Sequence, residues 1–281
     1  MIVVTGATGN VGRPLVRALA DAGERVTAVS RGTVPVDLPE GAAHVRADLS
    51  EPETLRPAFE GAETLFLHDG GAGGQSLGSQ AVLDAAREAG IERVVLLSSQ
   101  GVVTRPESPS HGGVMAARER AVRESGLGWT ILRAGAFASN AYGWAESVRA
   151  ERTVFAPFGD VGIPVVDPAD IAAVAAAALR KDEHAGRIYE LTGPAAVTPR
   201  EQAAAIGAAI GEPVRFVELT REQAHARLSA FMPEPVVETT LQILGEPKPA
   251  ELRISPDAER VLGRAPRSFA DWARANAPAF Q

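Results

Sequence analysis

The chain opens with MIVVTGATGNVG, in which a short apolar strand leads directly into a glycine motif. The glycines follow the pattern Gly6-x-x-Gly9-x-x-Gly12, and apolar residues at helical spacing come after them. A dinucleotide-binding loop requires this succession of strand, glycine turn and helix, because it brings backbone N–H groups and the positive end of a helix close to a pyrophosphate. We therefore predict that this segment binds a dinucleotide and is more than a structural turn.

Composition excludes several classes of protein. Of the 281 residues, 45% are hydrophobic and 22% are charged, which is typical of a globular domain. The net charge of -7 disfavours binding to nucleic acid or to an anionic membrane, and a chain without cysteine has neither disulfides nor thiolate metal sites. The first strand leaves no room for a signal peptide, and the apolar runs are too short to cross a bilayer. We expect a soluble cytoplasmic protein, as a monomer or homodimer, without a metal.

Strands and helices alternate through residues 1–155. There are six strand candidates, at residues 2–4, 25–30, 43–46, 63–68, 93–99 and 129–133. Helical patterns separate them, except that an irregular connection joins the second to the third. The alternation predicts an α/β fold, a doubly wound parallel sheet of the Rossmann type. Residues 156–281 are predicted to form a smaller C-terminal α+β substrate lobe, from which some segments return to the sheet. In this lobe we expect strands at 153–156, 163–166 and 187–191, a helix capped by Asp167, and a capping box from Thr198 to Glu201.

The residue after the second strand indicates which dinucleotide is bound. In folds of this kind an acidic side chain there accepts a hydrogen bond from the ribose 2′-hydroxyl of NAD. Here the strand ends at Ser30 and Arg31, and the next acid is Asp37. A guanidinium offers forked donors to a 2′-phosphate, so Arg31 predicts NADP(H) unless it merely faces solvent. Asp48, after the third strand, is expected to meet the adenine edge or to cap the following helix.

Several segments together resemble one known family. They are VTGATGNVG at 4–12, LSS at 97–99, Glu119-x5-Ser125-Gly126 with WTILR at 129–133, AFASN at 136–140, IPVVDPADI at 163–171 and YELTG at 189–193. With these motifs the chain resembles the NmrA-like branch of the atypical short-chain dehydrogenases/reductases over roughly its first 220 residues. The resemblance implies a Rossmann domain, a small substrate lobe and a cleft between them. It also implies either NAD(P)H-dependent reduction of quinone or isoflavone-type substrates, or dinucleotide-binding regulation without chemistry.

The chain departs from the superfamily at the catalytic positions. Such reductases usually carry a serine and a Tyr-x-x-x-Lys pair, in which the lysine lowers the pKa of the tyrosine. Counting back from Glu119, the lysine position falls on Met115 and the tyrosine position on His111. Ser98 or Ser99 remains. Because Met115 is uncharged, the usual pair is missing, and His111 becomes the candidate for proton exchange near neutral pH.

His68 and Tyr142 are two further polar candidates for the functional site. His68 ends the fourth strand, and ligands bind beyond the carboxyl ends of strands in open α/β sheets. The family layout directs Tyr142 toward the substrate cleft. Four residues offer either an apolar lining suited to a flat quinone or aromatic ketone, or ordinary core: Met115, Phe137, Trp144 and Phe155.

The predicted site has two parts. The predicted cofactor-binding residues are Gly6, Thr8, Gly9, Asn10, Val11, Gly12, Arg31, Asp48, His68, Ser98, Met115 and Phe137. The predicted catalytic residues are His111, Ser98 and Tyr142.

Three functional hypotheses follow. The first is an NADPH-dependent oxidoreductase that reduces a quinone, an enone or a related aromatic carbonyl by direct hydride transfer. The second is a non-catalytic NADP(H)-binding redox sensor, in which the loop from Gly70 to Gly74 becomes ordered on ligand binding. The third is a non-redox enzyme, such as a cyclase or dehydratase, that has kept the cofactor site.

Overall fold

The computed structural model describes residues 1–32, 38–68 and 79–281. Two features of the sequence predictions lie outside these residues. One is Asp37, the nearest acid after Arg31, and the other is the glycine-rich loop from Gly70 to Gly74.

In the part of the chain that the structure describes, seven parallel strands form the main sheet. They are β1 (Ile2–Thr5), β2 (Val26–Ser30), β3 (Ala42–Arg46), β4 (Thr64–Leu67), β5 (Arg93–Ser99), β6 (Gly128–Ala134) and β8 (Arg187–Leu191). They lie in the order β3-β2-β1-β4-β5-β6-β8. The order confirms the predicted doubly wound class, and its switch point lies between β1 and β4, where such sheets bind ligands.

Helices cover both faces of this sheet. They are α1 (Gly12–Asp21), α2 (Arg56–Phe59), α3 (Ser79–Glu88), α4 (Gly101–Thr104), α5 (Gly112–Glu124) and α7 (Pro168–Arg180). On one face Leu15 and Leu19 of α1 pack with Ile171 of α7. On the other, Leu83 of α3 packs with Val122 of α5. A core flanks each face of the sheet, and the central strands β1 and β4 are buried along their whole length, as parallel strands covered on both faces are.

The C-terminal part adds a second, smaller layer. Its elements are α6 (Ala145–Glu151), β7 (Thr153–Ala156), α8 (Pro199–Ile210), β9 (Arg215–Glu218), α9 (Arg221–Leu228), α10 (Glu234–Gly245), α11 (Asp257–Leu262) and α12 (Phe269–Ala275). Strands β7 and β9 pair in parallel, and Val154, Ile206, Trp272 and Phe280 share a core beside them. Helix α7 and strand β8 lie between these elements in sequence, but α7 packs on the main sheet and β8 pairs with β6. Among the described residues, every helix falls short of the length and apolarity that a bilayer span needs.

Local signals of helix ends were mostly confirmed. Asp167 Oδ1 accepts from the Ala169 N–H at 2.8 Å at the start of α7, and Thr198 with Glu201 forms the predicted capping box of α8.

The strand predicted at 163–166 was wrong, because Pro164 has no N–H to donate to a ladder. That segment makes only isolated bridges, from Ile163 to Val197 and from Phe137 to Val166.

Candidate cofactor and active site

The glycine loop between β1 and α1 is packed so closely at Gly6 and Gly12 that a side chain would not fit at either position. Gly6 has φ +63°, and a Cβ there would lie 3.1 Å from His68 Cδ2. A Cβ on Gly12 would lie 2.2 Å from the Gly6 carbonyl oxygen and 2.7 Å from Ala7 Cα. The first contact shapes the turn, and the second holds the helix start against it.

The same loop presents its backbone to solvent. Thr8, Gly9 and Asn10 are exposed, and Val11 occupies the N-cap of α1 with a side chain that cannot accept a hydrogen bond. The Arg13 N–H already donates to the Gly9 carbonyl oxygen at 3.1 Å, and Pro14 has no N–H. A ligand here would therefore be bound by N–H groups of the loop, where the helix dipole adds positive potential. This arrangement fits the pyrophosphate of a dinucleotide.

Two arginines lie together after β2 and a third lies in the first turn of α1; these three are called the arginine group. Arg31 follows β2 and is exposed. Arg46 is the register partner of Ser30 across the β2–β3 pair, and its Nε donates to the Arg31 carbonyl oxygen at 3.2 Å. Arg13, in the first turn of α1, donates from Nε to the Thr8 carbonyl oxygen at 3.0 Å. The sequence analysis found only Arg31. The strand register that brings Arg46 next to Arg31 is not visible in the spacing of residues along the chain.

Asp48 lies beside this arginine group and is half-buried. Its Oδ1 accepts from the Ser50 N–H at 2.9 Å and from the Ser50 hydroxyl at 2.8 Å. These hydrogen bonds, helped by the charge of Arg31 and opposed by slight burial, hold the pKa of Asp48 below its usual range. The carboxylate is thus ionised and fixed in an Asx turn before the short helix that begins near Pro52.

His68, directly after β4, packs against the glycine loop. The buried Thr5 hydroxyl donates to the His68 carbonyl oxygen and accepts from the His68 N–H, both at 2.8 Å. The imidazole lies against Gly6. This residue therefore lies next to the glycine loop, and its contact with a cofactor stays a prediction.

Ser98 does not suit the catalytic and cofactor-binding roles predicted for it. It is 5% exposed, and its hydroxyl donates to Glu119 Oε1 at 2.8 Å. Glu119 is fully buried, and it also accepts from Arg133 at 2.9 and 2.7 Å and from Arg123 at 2.8 Å. The family motif around Glu119 thus forms an ionic cluster that ties α5 to the ends of β5 and β6.

Ser99, Gln100 and His111 form a half-buried rim at the carboxyl end of β5. A Cβ on Gly101 would lie 3.3 Å from Ser99 Oγ and 3.4 Å from His111 Cβ, so these two residues are neighbours. The Gln100 amide lies against Gly135 at the end of β6, 3.4 Å from the position of a Cβ there. Ser99 and His111 are therefore the polar pair at this edge, and Gln100 is a third polar group that the sequence reasoning did not select.

The His111 imidazole is held neutral by its surroundings. Burial lowers its pKa below the ordinary value of 6.5, and the charge of Arg105 lowers it further, against an opposing effect of Glu251. His111 Nδ1 hydrogen-bonds Ser110 Oγ at 2.9 Å. Since the pKa lies below neutrality, only a minor fraction of the imidazole carries a second proton at pH 7.

Tyr142 does not suit the role of a free acid. Its hydroxyl donates to Asn276 Oδ1 at 2.5 Å, and its ring packs at 5.1 Å from Trp272 and stacks at 6.1 Å on Phe280. Burial and the charge of Asp167 raise its pKa. The side chain is therefore a protonated member of the C-terminal aromatic core.

The apolar candidates are partly accessible. Met115 is half-buried in α5, and its sulfur accepts from Arg118 at 3.6 Å. Phe137 is half-buried just beyond β6, next to the Gln100–Gly135 contact. Trp144 packs on the C-terminal core, and Arg227 stacks over the Phe155 ring at 4.7 Å. Met115 lies one turn after His111 on α5 and Phe137 follows the end of β6, whereas Trp144 and Phe155 belong to the smaller layer.

Comparison with known proteins agrees with this geometry. Residues 6–182 match the family described as NAD(P)H-binding. That span begins at the first glycine of the loop and continues through α7, so it includes the arginine group and the His111 rim.

Two curated relatives align along the whole chain. The (4-alkanoyl-5-oxo-2,5-dihydrofuran-3-yl)methyl phosphate reductase of Streptomyces griseus is 38% identical over 100% of this chain and 99% of its own. The NAD(P)H azoreductase of Xenophilus azovorans is 34% identical over the same shares.

A solved structure of similar fold contains the nucleotide. It is the NADPH-dependent quinone oxidoreductase of Escherichia coli complexed with NADPH, with a TM-score of 0.79, 24% identity and coverage of 98% of this chain and 99% of that one. The family match and the full-length relatives confirm the resemblance found in the sequence. The chain belongs to the NAD(P)H-binding family.

Proposed function

We propose that the chain is an NADPH-dependent reductase of a quinone, an enone or a related aromatic carbonyl. The observation that carries the proposal is the carboxyl edge of the sheet, where the bare glycine loop after β1 and the Ser99–His111 pair after β5 lie on the same side. Both full-length relatives are named as reductases. The dihydrofuran in one of those names retains a carbon–carbon double bond next to carbonyl groups, which supports an enone as substrate.

The proposed reaction is balanced by two transfers. The bound dinucleotide supplies a hydride, which carries two electrons, to the acceptor carbon, and the chain or solvent supplies one proton. The chain's part is to hold the pyrophosphate at the α1 N-terminus, to hold the adenosine phosphate with arginines, and to deliver the proton from His111. Positioning of this kind accounts for a large share of rate acceleration when the acceptor is easily reduced.

A turnover assay tests the proposal directly. We expect NADPH fluorescence to be consumed with at least one member of a panel of quinones, azo dyes and acyl-substituted unsaturated lactones. Tight NADPH binding without turnover on any of them would contradict it and would favour the sensor hypothesis, which the missing tyrosine and lysine also suit.

Cofactor preference depends on the arginine group. Hydrogen bonds to charged groups contribute about 1.5–3 kcal/mol each, which corresponds to roughly 10- to 100-fold in affinity. We expect Arg31→Ala to weaken NADPH by about this factor and Arg46→Ala to weaken it less, with NADH affinity nearly unchanged in both variants. Titration of protein fluorescence with each nucleotide measures this.

The control for that series is Arg25→Ala. Arg25 is exposed and precedes β2 at the opposite edge of the sheet, so its loss removes the same charge far from the nucleotide. Equal weakening of NADPH and NADH by Arg31→Ala would defeat the assignment of NADP(H).

A pH profile tests His111 as the proton donor. The protonated imidazole is the donor form, and its pKa lies below 6.5. Turnover with NADPH should therefore be highest on the acidic side and should fall as the pH rises through that pKa, measured as initial rates between about pH 5 and pH 8. His111→Gln should lower kcat on the order of 100-fold and remove the slope.

The matched control is His225→Gln on α9, which should keep the rate and the profile. An unchanged profile in His111→Gln would remove this residue from the mechanism.

A further inference from the structure

Three hydroxyl groups link His111 to helix α10. Ser110 Oγ lies 2.9 Å from His111 Nδ1 and donates to the Pro235 carbonyl oxygen at 3.1 Å. Thr239, one turn along α10, donates to the same carbonyl at 3.0 Å. Ser108 Oγ lies 3.1 Å from Thr239 Oγ1 and 3.2 Å from Ser110 Oγ. The imidazole, which the sequence places in the nucleotide-binding half, is thus held by the C-terminal part.

The direction of these hydrogen bonds follows from the Pro235 carbonyl. A carbonyl oxygen only accepts, so the Ser110 hydroxyl proton points to it. Thr239 Oγ1, whose own proton goes to the same carbonyl, is a second acceptor for Ser110 at 3.4 Å and lies on the same helix. With its proton directed to α10, the Ser110 oxygen is left as an acceptor, and the group that faces it, His111 Nδ1, must carry the hydrogen. This geometry selects the neutral tautomer with hydrogen on Nδ1 and leaves Nε2 as the nitrogen that gains and loses a proton.

We propose that Ser110, held by the Pro235 carbonyl and Thr239 of α10, is a positioning residue that fixes His111 in its Nδ1–H tautomer. The inference rests on the proposed function for its consequence, since it assigns proton delivery to Nε2. After Nε2 has given its proton to the substrate, the histidine is left in the tautomer that Ser110 already binds. Donation therefore needs no rearrangement of the hydrogen bonds.

A buried ion pair also joins the nucleotide-binding half to the C-terminal part. Arg105, which follows α4, donates to Glu251 at 2.8 and 2.9 Å, and both side chains are almost fully buried. Arg105 also donates to the Glu246 carbonyl oxygen at the end of α10, at 3.1 Å. The segment that carries Ser110 and the helix that carries Pro235 are therefore joined at two places, which fixes the distance between them.

The test reads the tautomer itself by nitrogen-15 NMR of the histidine side chains in the full chain. The His111 signals are identified by their loss in His111→Gln. We expect hydrogen on Nδ1 in the native protein at neutral pH. Ser110→Ala should shift the population toward Nε2–H, and Ser110→Thr, which keeps the hydroxyl, should restore it. Thr239→Val is a second variant, and it should shift the tautomer in the same direction but less, because it removes one support of Ser110.

Ser229→Ala is the matched control. Ser229 Oγ lies 3.4 Å from Nδ1 of another histidine, His225, so this variant should alter that signal and leave His111 unchanged. In the turnover assay, Ser110→Ala should lower kcat about 10-fold with KM unchanged, and Ser110→Thr should recover most of it.

The outcomes separate the two proposals. An unchanged His111 tautomer in Ser110→Ala, or hydrogen on Nε2 in the native protein, overturns the positioning role. The expected tautomer shift in a chain without reductase activity supports the positioning role and overturns the proposed function instead.

Discussion

Gly12→Ala should weaken NADPH binding by about 10- to 100-fold, the effect of losing one charge-assisted hydrogen bond to the pyrophosphate. The added methyl would lie 2.2 Å from the Gly6 carbonyl oxygen and 2.8 Å from its carbon. Neither neighbour is a side chain that can rotate away, so the loop backbone or the start of α1 must move. That displacement takes the N–H groups out of line with the phosphates.

The same substitution should lower stability. Overpacking in a well-packed region costs about 1–3 kcal/mol, and here the contact is between backbone atoms, so we expect the upper part of that range. For a chain of this size the melting temperature should fall by roughly 5–10 °C. Calorimetry without nucleotide measures this loss separately from the loss of affinity.

Two other glycines serve as comparisons. A Cβ on exposed Gly9 would lie 3.2 Å from the same Gly6 oxygen, so Gly9→Ala should weaken binding with little loss of stability. A Cβ on Gly143 would have no neighbour within 4 Å among the described residues, and Gly143→Ala should change neither property. Native-like NADPH affinity in Gly12→Ala would show that the loop does not bind the pyrophosphate.

Much of the nucleotide half could be predicted because its signals are local. Buried parallel strands are continuous apolar runs, so each of the first six was found within one residue of its bounds. The loop from Gly6 to Gly12 lies within one turn of chain, and Thr198 with Glu201 forms a cap between residues three apart. The one-turn helix α4 was missed, because four residues are too few for a helical period to appear.

The site beyond the loop depends on long-range pairs that no spacing reveals. Arg105 and Glu251 are 146 positions apart, and Ser110 and Pro235 are 125 apart. Ser98 and Ser99 look alike in sequence, yet one is bonded to buried Glu119 and the other lies at the rim. The alternating direction of side chains along β5 separates them, but which face carries the buried acid is decided only by the packing of α5.

The second large effect should come from Glu119. Removing one partner of a buried ion pair costs about 3–5 kcal/mol, because the other charge stays buried. Arg133 keeps 13% of its side chain exposed, so we expect Glu119→Leu to cost about 3 kcal/mol, or roughly 6–12 °C in melting temperature. Activity should fall as well, since Glu119 ties the helix that follows His111 to the strand that ends at Ser99. Thermal unfolding and kcat measure the two effects.

A double variant distinguishes buried charge from lost packing. If the unpaired arginine is the main cost, Glu119→Leu combined with Arg133→Leu should be more stable than Glu119→Leu alone. Equal or additive losses would contradict this explanation. Because Arg123 also pairs with Glu119 but is 37% exposed, Arg123→Leu is the mild comparison and should cost less than about 1 kcal/mol.

The pH dependence of stability gives an independent check. Burial raises the pKa of Glu119, but the hydrogen bonds from Arg133 and Ser98 and the charges of Arg133 and Arg123 together outweigh burial, so the pKa lies below the ordinary 4.5. A carboxyl group whose pKa is lower in the folded state stabilises the fold above its unfolded pKa, and this contribution is lost as the pH falls through the folded value. The native protein should therefore lose stability below about pH 4.5 more steeply than Glu119→Gln, which has no proton to gain there. Parallel curves for the two proteins would mean that Glu119 enters the fold uncharged, and the ionic account of this cluster would then be wrong.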